Sequence, residues 1–186
     1  MRTVPAKTNV PVAAGIAALG LIFILVGALG APQAAAQTRE APPPALIDFE
    51  GFDALTTEAG FYRAGRLVDL ATFNAMRADP DTLVIDARSA EAFALGHIDG
   101  AVNLNFADFT DEKLADVIGD PNRRILIYCN NNFTDNVAPV MLKRAPLALN
   151  IATFVNLYGY GYVNIYELDG AYSFTDAEIG WSAADS

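Results

Sequence analysis

The chain has 186 residues, with 12 Lys and Arg against 22 Asp and Glu, a formal net charge of −10, one Cys and one His. Its 53% hydrophobic content excludes a disordered chain, and the single Cys excludes an intrachain disulfide framework and a Cys-rich zinc site. One His leaves no cluster for a metal, and the acidic balance argues against a nucleic-acid partner, because phosphate binding needs a basic face.

Arg2 and Lys7 precede an apolar run from Val10 to Gly30, and Ala34-Ala35-Ala36 then offers a small-residue exit before Gln37. A basic start, an apolar middle and an A-x-A site describe a secretory signal over residues 1–36. The run also approaches the roughly 20 residues that span a bilayer, so an uncleaved N-terminal anchor is the alternative. The expectation is a periplasmic or secreted domain, or one anchored in the inner membrane and facing the periplasm. A membrane is a partner only if the segment stays uncleaved. Cleavage removes Arg2 and Lys7 and takes the net charge from −10 to −12.

Residues 37–45 contain Pro42-Pro43-Pro44 and read as an extended linker. Residues 46–65 mix Phe49, Phe52, Leu55, Phe61 and Tyr62 with acidic residues, and read as an extension packed on a domain at 66–175. Residues 176–186 read as a C-terminal tail. Within the domain, Leu67-Val68 is a short strand and 70–76 a helix broken by Asp79-Pro80-Asp81. Leu83-Val84-Ile85 is a buried strand, Ala90 to Leu95 a helix stopped by Gly96, and 101–104 another strand. Thr110 caps a helix that Gly119 ends. Arg124 to Tyr128 is the clearest strand; a helix is expected from about Asn136 to Arg144, ended by Pro146, and Val163 to Leu168 is the last strand. Strands alternating with helices predict an α/β fold with a parallel sheet, and strands this apolar suit a sheet covered on both faces.

Ligand sites in such folds lie beyond the carboxyl ends of the strands. Cys129 stands there, followed by Asn130, Asn131, Asn132, Phe133, Thr134 and Asp135. Consecutive Asn residues allow a tightly curled, left-handed loop, and a curled loop ahead of a helix can aim several backbone N–H groups at one centre. Such a setting favours the thiolate of Cys129. A lone Cys after an apolar strand is equally a buried core filler. Asn132-Phe133-Thr134 also has the pattern of a glycosylation sequon, which the bacterial-type signal discounts.

A second segment carries a resemblance. Val84-Ile85-Asp86-Ala87-Arg88, then Glu91-Ala92-Phe93, then Gly96-His97-Ile98-Asp99-Gly100-Ala101 resembles the hallmark of rhodanese-like domains. That family places its catalytic Cys after an apolar strand about thirty residues later, where Cys129 stands, and Tyr166-Glu167-Leu168-Asp169-Gly170 resembles its closing strand and turn. The resemblance spans residues 66–173. It implies an α/β, rhodanese-like fold: a five-stranded parallel sheet flanked by helices on both faces. It also implies sulfur transfer, in which Cys129 takes a sulfane sulfur as a persulfide and passes it to a thiol or cyanide acceptor. The partners are then a sulfur donor and a thiol acceptor, small molecule or protein, and no metal or other cofactor is called for. Residues 130–135 would form the substrate-binding loop. Asp86 and Arg88 read as a structural ion pair, His97 as a hydrogen-bonded loop anchor and Gly100 as a turn residue.

Two departures qualify this. Active sulfurtransferases of the family usually place an Arg after Cys and four further residues, but here that position is Thr134, Asp135 follows, and no Lys or Arg occurs until Lys143. The related phosphatases and arsenate reductases need that Arg to hold a dianion, so phosphatase chemistry is set aside. The donor expected is a persulfide or polysulfide rather than thiosulfate. The other departure is a long connection to Gly170, with a surplus at 147–161 that reads either as a core-packing insertion or as an amide- and aromatic-rich rim over the Cys loop. The alternative to a sulfurtransferase is a catalytically inactive rhodanese-like binding or redox-sensing module. A general disulfide reductase is disfavoured, since no second Cys resolves a mixed disulfide.

Overall fold

A computed structural model describes residues 43–183. The expected export segment 1–36, most of the linker 37–45 and the last residues of the tail lie outside the described residues.

The elements follow from local signals. Helix α1 spans Phe49–Arg63 and starts at Asp48, whose carboxylate accepts from Gly51 N–H. Strand β1 is Leu67–Val68, and α2, Leu70–Arg77, is capped by Asp69. Strand β2, Leu83–Asp86, leads to α3, Ala90–Leu95, capped by Ser89. Short strands β3 (Gly96–Ile98) and β4 (Val102–Asn103) follow. Helix α4, Asp111–Ile118, is capped by the Thr110 hydroxyl and stopped by Gly119 at φ 77°. Strand β5 is Ile125–Tyr128, α5 is Leu149–Gly159, β6 is Ile165–Leu168 and β7 is Trp181–Ala183.

Five strands form one parallel sheet in the order β1-β6-β5-β2-β4. Strands β2 and β5 lie at its centre and are buried at every residue, as a sheet covered on both faces requires. Alternation then divides the core. Leu83, Ile85, Ile125, Ile127 and Ile165 meet Leu114 and Ile118 of α4 and Phe154 and Leu157 of α5. Val84, Leu126, Tyr128 and Leu168 meet Leu70 and Phe73 of α2 on the opposite face.

Helix α1 packs on α5. Tyr62 stacks at 5.1 Å from Tyr158, whose hydroxyl donates to Glu58 at 2.7 Å. The two helices approach closely at Gly159, where a Cβ would stand 2.8 Å from a Leu55 methyl. The extension at 46–65 is therefore a docked helix on this face.

Three expectations are corrected. No helix runs from Asn136 to Arg144. Asn136 has φ 45°, and Pro139 stands inside the expected helix, where it lacks an N–H and drives the preceding residue out of helical geometry. The segment is instead pinned by side chains: Asn136 Oδ1 accepts from Leu142 N–H, and Asn131 exchanges two bonds with the Lys143 backbone. The helix after the Cys loop is α5, in the stretch read as an insertion. It fills core with Phe154 and Leu157, so the core-packing account describes those residues. The domain also runs beyond 175. Strand β7 pairs antiparallel with β3, in register Gly96 with Ala183 and Ile98 with Trp181. Gly96 serves this contact: its φ is 152°, and a Cβ there would meet the Trp181 ring at 2.5 Å.

Among the described residues, no helix is long and apolar enough to cross a membrane.

Candidate active site

Cys129 directly follows β5, at the carboxyl end of the sheet. Asn130–Asn132 form a 3-10 turn, not the left-handed curl expected of three Asn residues; the only left-handed residue other than glycine among those described is Asn136. The Asn side chains act as hydrogen-bond hubs instead. Asn132 Oδ1 accepts from the Cys129 N–H at 2.9 Å and from Asn150 Nδ2 at 3.0 Å, and its Nδ2 donates to the Leu168 and Gly170 carbonyls at 2.7 and 3.3 Å. These roles fix which way both amides point. One residue thus ties the Cys turn to α5 and to the end of β6.

The thiol sits beneath α5. No side chain caps that helix, and the backbone N–H groups of Leu149 and Asn150 in its first turn, with that of Asn131, pull the thiol pKa down. This is the expected convergence of amides on one centre, but two of the three come from a helix twenty residues downstream. Cys129 is nonetheless fully buried. Burial pushes its thiol up most, the Asn131 and Asn150 amides pull it down, the Glu167 carboxylate pushes it up again, and the net shift is upward. The expectation of a favoured thiolate is corrected on this ground: desolvation outweighs the amides.

Glu167, on β6, is itself buried. Its carboxylate accepts from Asn150 Nδ2 at 3.2 Å and is gripped by Arg63 of α1, with Nε at 2.5 Å and Nη2 at 2.6 Å. Arg63, Cys129, Asn131, Asn132, Asn150, Glu167 and Asp169 line a cavity of about 380 Å³, and Ile151, Leu168 and several Ala and Gly residues complete the wall. One atom in this network is unsatisfied: the buried Oδ1 of Asn150 has no hydrogen-bond partner among the described residues. Another cleft, between Asp79, Asp120, Arg123 and Arg124, sits by the starts of β2 and β5, away from Cys129.

The predicted loop divides. Cys129, Asn131 and Asn132 line the cavity, whereas Asn130, Phe133, Thr134 and Asp135 do not. Phe133 is core, edge-on to Tyr128 and Trp181. The Thr134 N–H donates to the Tyr172 carbonyl. Asp135 accepts from Ser173 Oγ at 2.9 Å and Phe174 N–H at 3.0 Å, so it ties down the chain after β6. Asp86 and Arg88 are fully buried and paired at 2.5 Å, and Arg88 also donates to the Gly96 and Pro139 carbonyls. His97 stacks on Phe93 and bonds its carbonyl through Nδ1 at 3.0 Å. None of these three touches the cavity.

Sequence reasoning missed Arg63, Asn150, Glu167 and Asp169. Glu167 carried a signal, a carboxylate inside the otherwise apolar strand Ile165–Leu168. Arg63 carried none, because its place depends on how α1 docks.

Only the thiolate is strongly nucleophilic, so alkylation of Cys129 is expected to accelerate as pH rises through and beyond the ordinary thiol range. Glu167→Gln removes one negative charge beside the sulfur and takes from Arg63 its ion-pair partner. Both changes lower the thiol pKa, so the pH–rate midpoint moves to lower pH and the rate at pH 7 rises. Stopped-flow alkylation of Cys129 across pH measures this, and a midpoint at or above the wild-type value would contradict it.

The rhodanese-like domain family matches residues 69–174, and the chain belongs to that family. Among similar proteins, a thiosulfate sulfurtransferase GlpE of Shewanella oneidensis is 32% identical over 92 residues, covering 48% of this chain and 71% of that protein. A tRNA uridine(34) hydroxylase of Bradyrhizobium diazoefficiens is 41% identical over 75 residues, 36% of this chain and 28% of that protein. The chain thus spans little more than a quarter of the length of that hydroxylase. Among solved structures, the rhodanese-like domain of the Anabaena Alr3790 protein is 20% identical, with a TM-score of 0.40, covering 57% of this chain and 69% of that one.

Proposed function

We propose that this protein is an exported sulfurtransferase that carries sulfane sulfur as a persulfide on Cys129. The observation that supports it is the place of Cys129 at the carboxyl end of β5, lining the cavity, where the Asn131, Asn150 and Leu149 amides favour a sulfur anion. A persulfide is a stronger acid than a thiol, so these donors hold its anion more readily than the thiolate itself. Where the persulfide is protonated, the unpartnered Asn150 Oδ1 is an acceptor for its S–H.

The donor in this reading is a persulfide or polysulfide. Residues 130–135 supply no cation, and the cavity holds two carboxylates, Glu167 and Asp169, which repel the dianion thiosulfate. The acceptor is a thiol. Export rests on the N-terminal pattern, with cleavage after Ala36. A tRNA substrate is not carried over from the hydroxylases, since a net charge of −10 disfavours phosphate binding.

The full burial of Cys129 favours a second reading, a rhodanese-like binding or redox-sensing module that transfers no sulfur. Intact-mass measurement of the purified mature protein separates the two. After treatment with polysulfide or a small persulfide, Cys129 is expected to gain one sulfur atom that a reductant removes, and Cys129→Ser to gain none. No gain with any sulfane donor would leave the second reading. The same spectrum reports whether the chain starts after Ala36.

A further inference from the structure

Helix α1 lies outside the family match at 69–174, yet it delivers the one cation that lines the Cys129 cavity. Arg63 spends Nε and Nη2 on Glu167. Its Nη1 has no hydrogen-bond partner among the described residues, and the side chain is 31% exposed. Glu167 and, less strongly, Asp169 both stabilise the guanidinium charge. The arrangement leaves one open face of an arginine, already partly neutralised, next to a second carboxylate. A dianion meets net negative charge here. A ligand with one carboxylate and one ammonium meets a partner for each. The buried Asn150 Oδ1 adds an acceptor that nothing among the described residues satisfies, and a cavity of about 380 Å³ leaves room for a small molecule.

We propose that Arg63 and Asp169 select the sulfur donor, and that the donor is an α-amino acid persulfide. Its carboxylate binds Arg63 Nη1, its ammonium lies against Asp169, and its outer sulfur reaches Cys129. This rests on the persulfide reading of Cys129. In the step itself, Cys129 Sγ attacks the outer sulfur of the donor. The donor's S–S bond breaks, its electron pair leaves with the donor's inner sulfur, and that thiolate takes the proton given up by Cys129. A new S–S bond holds the outer sulfur and its hydrogen on Cys129, and no oxidant or reductant is consumed.

Three matched donors test the selection: cysteine persulfide, cysteamine persulfide, which lacks the carboxylate, and 3-mercaptopropionate persulfide, which lacks the ammonium. Loading of Cys129 is followed by intact mass in single turnover. Cysteine persulfide is expected to load at least about tenfold more efficiently than either analogue, the size of one charge-assisted hydrogen bond. Arg63→Gln is expected to slow loading by every donor, because Glu167 is left unbalanced beside the sulfur, and in addition to lose the advantage of cysteine persulfide over cysteamine persulfide. Asp169→Asn is expected to lose the advantage over 3-mercaptopropionate persulfide alone, and Arg63→Lys to fall between. Glu58→Gln loosens α1 at Tyr158, away from the cavity, and is expected to keep the wild-type order of donors. Equal loading by all three donors overturns the proposal, as does an equal loss with every donor in Arg63→Gln, or a Glu58→Gln variant that behaves like it. Loading by none of them overturns the persulfide reading itself, a result distinct from loading without discrimination.

Discussion

Replacing Arg88 with Met is expected to destabilise the domain by about 3–5 kcal/mol, the cost of leaving a buried charge without its partner. Arg88 and Asp86 have no exposed surface. The guanidinium grips the Asp86 carboxylate through Nε and Nη2, Asp86 also accepts from the Arg88 N–H at 2.9 Å and the Tyr128 hydroxyl at 2.6 Å, and Arg88 holds the Gly96 and Pro139 carbonyls. Met fills comparable volume but strands the carboxylate and two carbonyls. The double variant Arg88→Met with Asp86→Leu is expected to lose less than the sum of the single changes, because it removes both charges together. Urea denaturation of the three variants measures this. A loss below about 1 kcal/mol for Arg88→Met would show that water reaches the pair. The pair joins the end of β2 to the start of β3 and to the irregular segment after the Cys loop, so its loss is expected to loosen the ground on which Cys129 stands.

The other large effect is expected at Asn132. Asn132→Ala strips the acceptor from Cys129 N–H and Asn150 Nδ2, and the donor from the Leu168 and Gly170 carbonyls. Each polar group left buried without a partner costs about 1–3 kcal/mol, and partial rescue by Glu167 and by water brings the expected loss to roughly 2–4 kcal/mol. Sulfur loading of Cys129 is expected to fall at least about tenfold, since the turn and the first residues of α5 lose their common tether. Asn132→Asp separates the two effects. It keeps the acceptor for Cys129 N–H but sets a negative charge beside the sulfur, which raises the thiol pKa and slows loading at pH 7 more than at high pH. A stability within about 0.5 kcal/mol of wild type for Asn132→Ala would show that the hub carries nothing.

The sheet was legible because its central strands are short apolar runs ended by recognisable signals. Asp69, Ser89 and Thr110 each cap a helix from the first residue before it, and Gly119 ends one. Cys129 could be placed because the carboxyl end of a buried parallel strand is a position that sequence fixes. The path from Cys129 to α5 was not legible in the same way. Asn136 to Arg144 has a helical spacing of apolar residues, and Pro139 outweighs it. The helix lay instead in a stretch that length alone marked as surplus. The charge of the site depends on side chains far apart in sequence. Arg63 reaches Glu167 across 104 residues, and no local pattern encodes that meeting. The balance at the thiol is equally non-local: only the Asn131 amide follows from chain direction after β5, while the α5 amides and the burial that outweighs them belong to the packed fold.

Trp181 is the single tryptophan of the chain. Its indole lies edge-on to Phe133 at 5.3 Å, four residues past Cys129, and 5.0 Å from the Arg88 guanidinium, against the backbone of Gly96. The fold therefore carries its own fluorophore, seated where the Cys loop, the buried charge pair and the final strand converge. Emission and quenching at that one ring give a label-free signal for events at the loop, and the same signal follows unfolding.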